Sequence, residues 1–318
     1  MTPTELPQRW DDGVLALHGH FLQSSAWARV QERLRYEVVF AADRDWCWLG
    51  VVRRAGPIRY LYLPFGPSLR GPAALGAAVS AARERARRYG CSFIRLEPDN
   101  ATAADLGSMR GRQVRSRQHQ HTLRLRIDVD DAVLRSGLNR GHRSRINTAE
   151  RRGLAIERVH DPADAADFVT LLRQTETRAG FYSHDDPYYR AIADVLLPSD
   201  EAVLYYARVG ESRVAGALLF DYGDTRYYAF AASDTERRSV MPAPPLLWRA
   251  ILDGRDKGLR WFDFWGIAPP GQPGHSWAGI TEFKRGFGGE VHSRAGTWEI
   301  PVRPLRARLF TVAQALRR

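Results

Sequence analysis

The residues with most chemical potential lie late in the chain, where Gly279-Ile-Thr-Glu-Phe283-Lys284-Arg285-Gly-Phe287-Gly288-Gly289 sets one lysine among glycines. A fixed cation can hold an oxyanion, and small neighbours leave its approach open; the plainer alternative is a solvated charge at a strand end. Two carboxylates, Glu97 and Asp99, close the strand-like Phe93-Ile-Arg-Leu96. A carboxylate there either accepts a proton or simply forms a turn. Arg190 follows Tyr188 and Tyr189, and its guanidinium fork suits a diphosphate as well as it suits solvent. Asp263 stands between Phe262 and Phe264 on a strand, facing away from them, either as a structural hydrogen-bond acceptor or as part of a site. The His/Arg-rich stretch Gln113–His121 and a helix bearing Arg140, His142, Arg143, Arg145, Arg151 and Arg152 offer cations to a polyanion or to water. Few aromatics accompany them, which argues against base stacking.

These residues need a scaffold, and the apolar pattern supplies one. Ser24 caps a helix on which Trp27, Val30 and Leu34 recur at helical spacing. Tyr36–Ala41, Trp46–Arg53 and Ile58–Leu63 read as a meander of strands, Ala73–Tyr89 as a helix ending at Gly90, and Ser92–Leu96 as a strand. Thr122–Ile127 alternates as a half-buried strand, and a helix runs from Ala132 until Gly153 ends it, its outer face cationic. Helices at Ala163–Thr177 and Pro187–Leu197 precede three strands, Ala202–Val209, Ser212–Asp221 and Thr225–Ser233; a helix over Pro245–Lys257 then leads into Leu259–Trp265. Helix, meander, helix and strand thus occur twice in the same order, as in two copies of one fold. A meander joined through a helix to a further strand is the arrangement of the GNAT acyltransferase fold, which by itself does not fix the chemistry.

Composition agrees with a globular α/β protein: 318 residues, 44% hydrophobic and 26% charged, enough for two domains of ~150 residues. The net charge of +11 comes almost wholly from arginine. It reflects either a polyanionic partner or an arginine-rich codon usage. Cys47 and Cys91 lack metal-ligand spacing, and neither a disulfide framework nor structural zinc follows. Met1–Gln8 has no basic and apolar leader pattern and no run of about 18 apolar residues occurs, so a cytosolic protein is expected.

Several segments, taken in order, resemble the Fem family (FemABX) of nonribosomal peptidyltransferases. They are Gln23-Ser-Ser-Ala-Trp27, Leu63-Pro-Phe-Gly-Pro67, Phe93-Ile-Arg-Leu-Glu97-Pro98, Thr122-Leu-Arg-Leu with the basic helix bearing Arg143 and Ile146, Arg178-Ala-Gly-Phe181, Tyr188-Tyr189, Val214-Ala-Gly-Ala with Tyr228, Trp261-Phe-Asp-Phe-Trp-Gly266, and the Gly279–Gly289 block. The resemblance implies two tandem GNAT-like domains without a helical-hairpin arm, residues 1–145 completed by 298–318 and residues 146–297, with the substrate cleft between and alongside them. It implies transfer of an amino acid from aminoacyl-tRNA to the stem-peptide amine of a muramyl-pentapeptide precursor, lipid-linked or UDP-linked, by a monomer without a cofactor. By the same resemblance Lys284 stands beside the transferred acyl group; Asp99, from its place at the strand end and not from the resemblance, is the candidate proton acceptor or a turn former. The resemblance sets Phe283 near the end of the stem peptide and Arg190 on the precursor's phosphates, with Tyr189 and Tyr228 as candidate precursor contacts; by their charge alone Arg143, Arg145 and Arg285 are candidates for tRNA phosphates or for a solvated face. Where many members carry a phosphate-binding lysine after the first tryptophan this chain has Gln31, so Arg29 or Arg33 substitutes or the precursor is held differently.

Two other classes remain. An acyl-CoA N-acyltransferase needs a glycine-rich pyrophosphate loop, whereas Arg237–Pro245 contains no glycine and is rich in proline. A non-catalytic RNA-binding protein accounts for the charge and leaves the Phe283–Gly289 block without purpose. Pro304–Arg318 places Leu305, Leu309, Val312 and Leu316 on one helical face, for docking onto the first lobe or for peripheral contact with the inner membrane leaflet.

Overall fold

The computed structural model describes residues 6–303 except positions 150, 152 and 181; the expected helix over 304–318 lies outside the described residues. They form two compact units, one running to Gln120 and resuming at Ser293, the other His121–His292.

The first unit begins with α1 (Trp10–Ala16) and α2 (Ser25–Arg33), the latter capped by Ser24, whose Oγ accepts from Trp27 N at 3.0 Å. Then come β1 (Val38–Asp43), β2 (Trp46–Ala55), β3 (Ile58–Leu63), β4 (Ser68–Leu69), α3 (Leu75–Arg88), β5 (Phe93–Leu96), α4 (Ala103–Ser108) and β6 (Arg112–Val114). Antiparallel β1, β2 and β3 form the meander, and α3 carries the chain across so that β5 runs parallel to β3. α3 makes that crossover because Leu75, Ala78, Val79, Ala82 and Ala86 form one buried stripe packed in the core with Trp48, Leu61 and Ile94. Gly90, at φ +68, ends the turn in a conformation that favours glycine. The closing strand, Thr297–Pro301, inserts between β5 and β6.

The second unit contains β7 (His121–Arg126), α5 (Asp131–Gly137), α6 (Arg140–Thr148), β8 (Leu154–Val159), α7 (Ala165–Ala179), α8 (Asp186–Leu196), β9 (Ala202–Val209), β10 (Ser212–Tyr222), β11 (Thr225–Ser233), α9 (Ala243–Asp256), β12 (Trp261–Gly266), α10 (Ala278–Arg285) and β13 (Glu290–Ser293); the closing strand is β14. Its sheet runs β13-β7-β12-β11-β10-β9-β8. Here too a meander precedes a crossover helix, α9, that sets β12 parallel to β11. The two faces of the sheet separate cleanly: Tyr205 reaches Asp253 on α9 at 2.8 Å, while its neighbour Tyr206 reaches the Asp164 carbonyl before α7 at 2.5 Å. The α9 face holds the core around Tyr228, Leu247, Ile251, Phe262, Phe264 and Phe287.

Two sequence expectations differ from this architecture. The division falls at Gln120, not at residue 145, because β7 pairs antiparallel with β12 and carries α5 and α6 into the second unit. The helix expected from Ala132 to Gly153 is two helices, broken where Leu138 turns extended and Asn139 caps α6, its Oδ1 accepting from His142 N at 2.7 Å. An asparagine gains more from bonding free N–H groups at a cap than from a helix interior.

Candidate active site

Lys284 lies in the last turn of α10, not in an open strand end, and is only 7% exposed. Its Nζ donates to the Gly266 carbonyl at 2.6 Å and stands 5.9 Å from the centre of the Tyr228 ring. Burial pulls its pKa down to about 8, with the nearby Asp263 carboxylate acting the other way. At neutral pH the side chain therefore stays a cation held in an apolar wall. Tyr228 is buried on β11, and burial raises its pKa.

The carbonyl that holds the lysine is placed by a distortion of β12. Pairing with β7 shifts register between Asp263 and Gly266, and Trp265 takes φ +63. Asp263 fixes that bend, accepting from Trp265 N at 2.7 Å and from Thr122 Oγ1 at 3.3 Å. One carboxylate thus serves as a structural acceptor and as the charge that steadies Lys284. Thr281, one turn before the lysine, accepts from Ala268 N at 2.8 Å and staples α10 to the segment leaving β12.

His142 is a correction: it belongs not to the cationic outer face of α6 but to the interior, 3% exposed. Its Nε2 meets the Phe283 carbonyl at 2.8 Å, and since a carbonyl only accepts, Nε2 carries the proton. Burial lowers its pKa and keeps it neutral. Asn139 N donates to the Gly286 carbonyl at 2.9 Å, so the start of α6 grips both sides of Lys284. A Cβ at Gly286 would come within 2.6 Å of Asn139 Nδ2 and His142 Nε2; this glycine is there for close approach.

Lys284, Phe283, Tyr228 and Asp263 come together. Phe283 is half buried against His142 and Phe287. Tyr189 and Arg190 do not join them, since α8 packs with α7 on the sheet's other face. Tyr189 is 1% exposed, edge-on to Phe168 and Phe230, its hydroxyl 2.7 Å from Ser183 Oγ; Arg190 is exposed. Arg143 donates to the carbonyls of Arg135, Ser136 and Leu138 at 3.1–3.3 Å, capping α5. Arg145 is half buried and Arg285 exposed, the latter paired with Glu282 at 3.3 Å.

In the first unit Glu97 is buried and accepts from Tyr62 Oη at 2.8 Å, Gln118 N at 2.9 Å and Thr297 Oγ1. That makes it a structural anchor. Asp99 is half buried and faces Arg294, Nε to Oδ1 3.5 Å. Arg29 and Arg33 are exposed on α2, whereas Gln31 between them is 4% exposed. No pattern in the sequence singles out Asn139, Gly286 or Arg294, whose roles depend on contacts with distant residues.

Prolines 244 and 245 occupy the first turn of α9 and remove N–H groups that a pyrophosphate would need there. Among the described residues no cluster of His, Cys, Asp or Glu could hold a metal ion, and no helix is long and apolar enough to cross a membrane.

Comparison with known proteins agrees with this architecture. An acetyltransferase (GNAT) domain family matches residues 136–285. The lipid II:glycine glycyltransferase of Staphylococcus aureus is 20% identical, over 89% of this chain and 88% of the relative. FemX superposes with a TM-score of 0.84 at 19% identity, covering 97% of this chain and 99% of FemX. A tandem GNAT protein from the clavulanic acid biosynthesis pathway gives 0.56 at 14% identity, covering 92% and 94%. The chain is thus a homologue of the lipid II:glycine glycyltransferase that carries a GNAT domain and the fold of FemX, consistent with the Fem family its own motifs resemble.

Proposed function

We propose that the chain is an aminoacyltransferase that takes its acyl group from aminoacyl-tRNA and passes it to the side-chain amine of a peptidoglycan-precursor stem peptide. The observation carrying this reading is Lys284, a buried cation held by Gly266 and Asp263. It is supported by homology to a glycyltransferase named for lipid II. A tRNA ester is already activated, so the protein's task is to position the amine and stabilise the charge that forms as it attacks. The amine nitrogen bonds to the ester carbon, the carbonyl oxygen becomes an oxyanion beside the Lys284 ammonium, and the tetrahedral species collapses with the tRNA ribose oxygen leaving. The amine loses a proton as the ribose hydroxyl gains one; Asp99 is the candidate acceptor. Arg190, Arg29 and Arg33, all exposed, are the candidates for precursor phosphates, and Arg145 and Arg285 for the tRNA backbone.

The GNAT match allows an acyl-CoA donor as a second reading, which the prolines at the start of α9 disfavour. Incubating the chain with a charged tRNA pool and muramyl-pentapeptide, and reading mass on the acceptor, separates the two. An aminoacyl increment supports the proposal. An increment seen only with acyl-CoA overturns it.

A further inference from the structure

Four loops of the first unit converge where parallel β3 and β5 end: His18–His20, Phe65–Ser68, Asp99–Asn100 and the approach to β14 at Arg294. They enclose a narrow pocket of about 10 Å³, room for roughly one oxygen-sized atom. Arg294 lines it with a side chain only 5% exposed, its guanidinium 4.4 Å above the Phe65 ring. Its Nε and Nη1 are enclosed without a hydrogen bond; Asp99 at 3.5 Å balances charge without satisfying these donors. Ser68 Oγ, lining the same pocket, is also enclosed without a hydrogen bond, the Cys47 thiol beside it being a weak partner. His18 and Phe65 both adopt left-handed backbone, at φ 53 and 49, a conformation that persists where the surrounding structure holds it. Enclosed donors without acceptors call for an acceptor. With Asp99 already beside the cation, a carboxylate that reaches in with a single oxygen suits the pocket better than a phosphate dianion.

We propose that this pocket is a recognition subsite for one carboxylate of the acyl acceptor, received by Arg294 and Ser68. The acceptor's identity as a stem peptide rests on the function proposed above; the carboxylate chemistry does not. The test measures KM and kcat for stem-peptide acceptors with each carboxylate free or converted to its amide, in the whole chain and in Arg294→Met, Arg294→Lys and Ser68→Ala. Amidating one particular carboxylate should raise KM about tenfold or more, the scale of losing a charge-assisted hydrogen bond, with kcat little changed. Arg294→Met should show that raised KM with the free acid and ignore amidation; Arg294→Lys should recover part of the preference. Acetate should raise the melting temperature of the parent chain and not that of Arg294→Met, a readout that survives if no peptide turns over. Equal KM for acid and amide, or a preference that persists in Arg294→Met, overturns the subsite. So does a parent chain indifferent to acetate when no peptide is a substrate, which would leave ordinary water as the occupant.

Discussion

Lys284 Nζ donates to the Gly266 carbonyl at 2.6 Å, although residue 284 lies in the last turn of a helix and residue 266 ends a strand 18 positions earlier. The contact draws an ammonium into an apolar wall, where burial opposes its charge more strongly than Asp263 supports it.

The titration that follows is specific. The chain has two lysines, Lys257 and Lys284, so nitrogen-15 labelling at lysine gives two side-chain signals, one of which should titrate at about 8. The folded value is lowered, so the unfolded chain binds the proton more tightly. Below pH 8 the penalty is complete; from about 8 to the ordinary value of 10.5 stability rises with pH as the folded state alone is deprotonated; above that the penalty is gone. Lys284→Met should therefore gain on the order of 2 kcal/mol at pH 7, after about 1 is subtracted for the lost hydrogen bond. The gain should fade above pH 10.5. Denaturant melts at pH 7 and 11 check it, and a variant less stable than the parent at pH 7 contradicts the burial argument.

Gly286→Ala should destabilise the chain by about 1–3 kcal/mol through overpacking, since the new methyl lands on Asn139 and His142. Turnover should fall with it, because both residues hold the backbone on either side of Lys284. Asn139→Ala should lose about 1 kcal/mol for the cap. Thermal unfolding alongside steady-state rates separates this from a surface effect, in which neither would move.

Much of this scaffold was legible in the sequence and the holding contacts were not. β9 and β11 match the expected strands Ala202–Val209 and Thr225–Ser233, because tyrosine and valine runs bounded by turn residues specify a strand locally. β13 and β14 escaped, since each is a short segment given strand form by distant partners. The break at Asn139 escaped because Leu134, Leu138 and Ile146 keep one apolar stripe across it. Lys284 was identified by its motif, yet its burial depends on the bend that Asp263 sets in β12.

The arginines divide by what they touch. Arg143→Ala should lower the melting temperature and leave RNA affinity nearly unchanged, because its guanidinium is engaged by the last carbonyls of α5. Arg145→Ala and Arg285→Ala should instead weaken tRNA binding and each reduce its salt slope by about 1. Filter binding across a salt series distinguishes them. An Arg143 variant that folds normally and loses RNA would reverse the assignment.

Arg226 is fully buried and bonds Asp221 through Nε and Nη2 at 2.7 and 2.8 Å. Arg226→Met leaves that carboxylate with Lys257 alone and should lose about 3–5 kcal/mol. Arg226→Met with Asp221→Leu should recover most of it. Urea melts of the three chains are the check, and a double variant no better than the single one would show that packing, not charge, holds this corner.

The most direct measurement is the mass of a muramyl-pentapeptide acceptor after incubation with charged tRNA and either the parent chain or Lys284→Met. The parent should give an aminoacyl increment, and the substitution should reduce its rate at least a hundredfold, the scale of removing one oxyanion-stabilising group, about 10²–10³. A folded Lys284→Met protein that transfers as fast as the parent would contradict it.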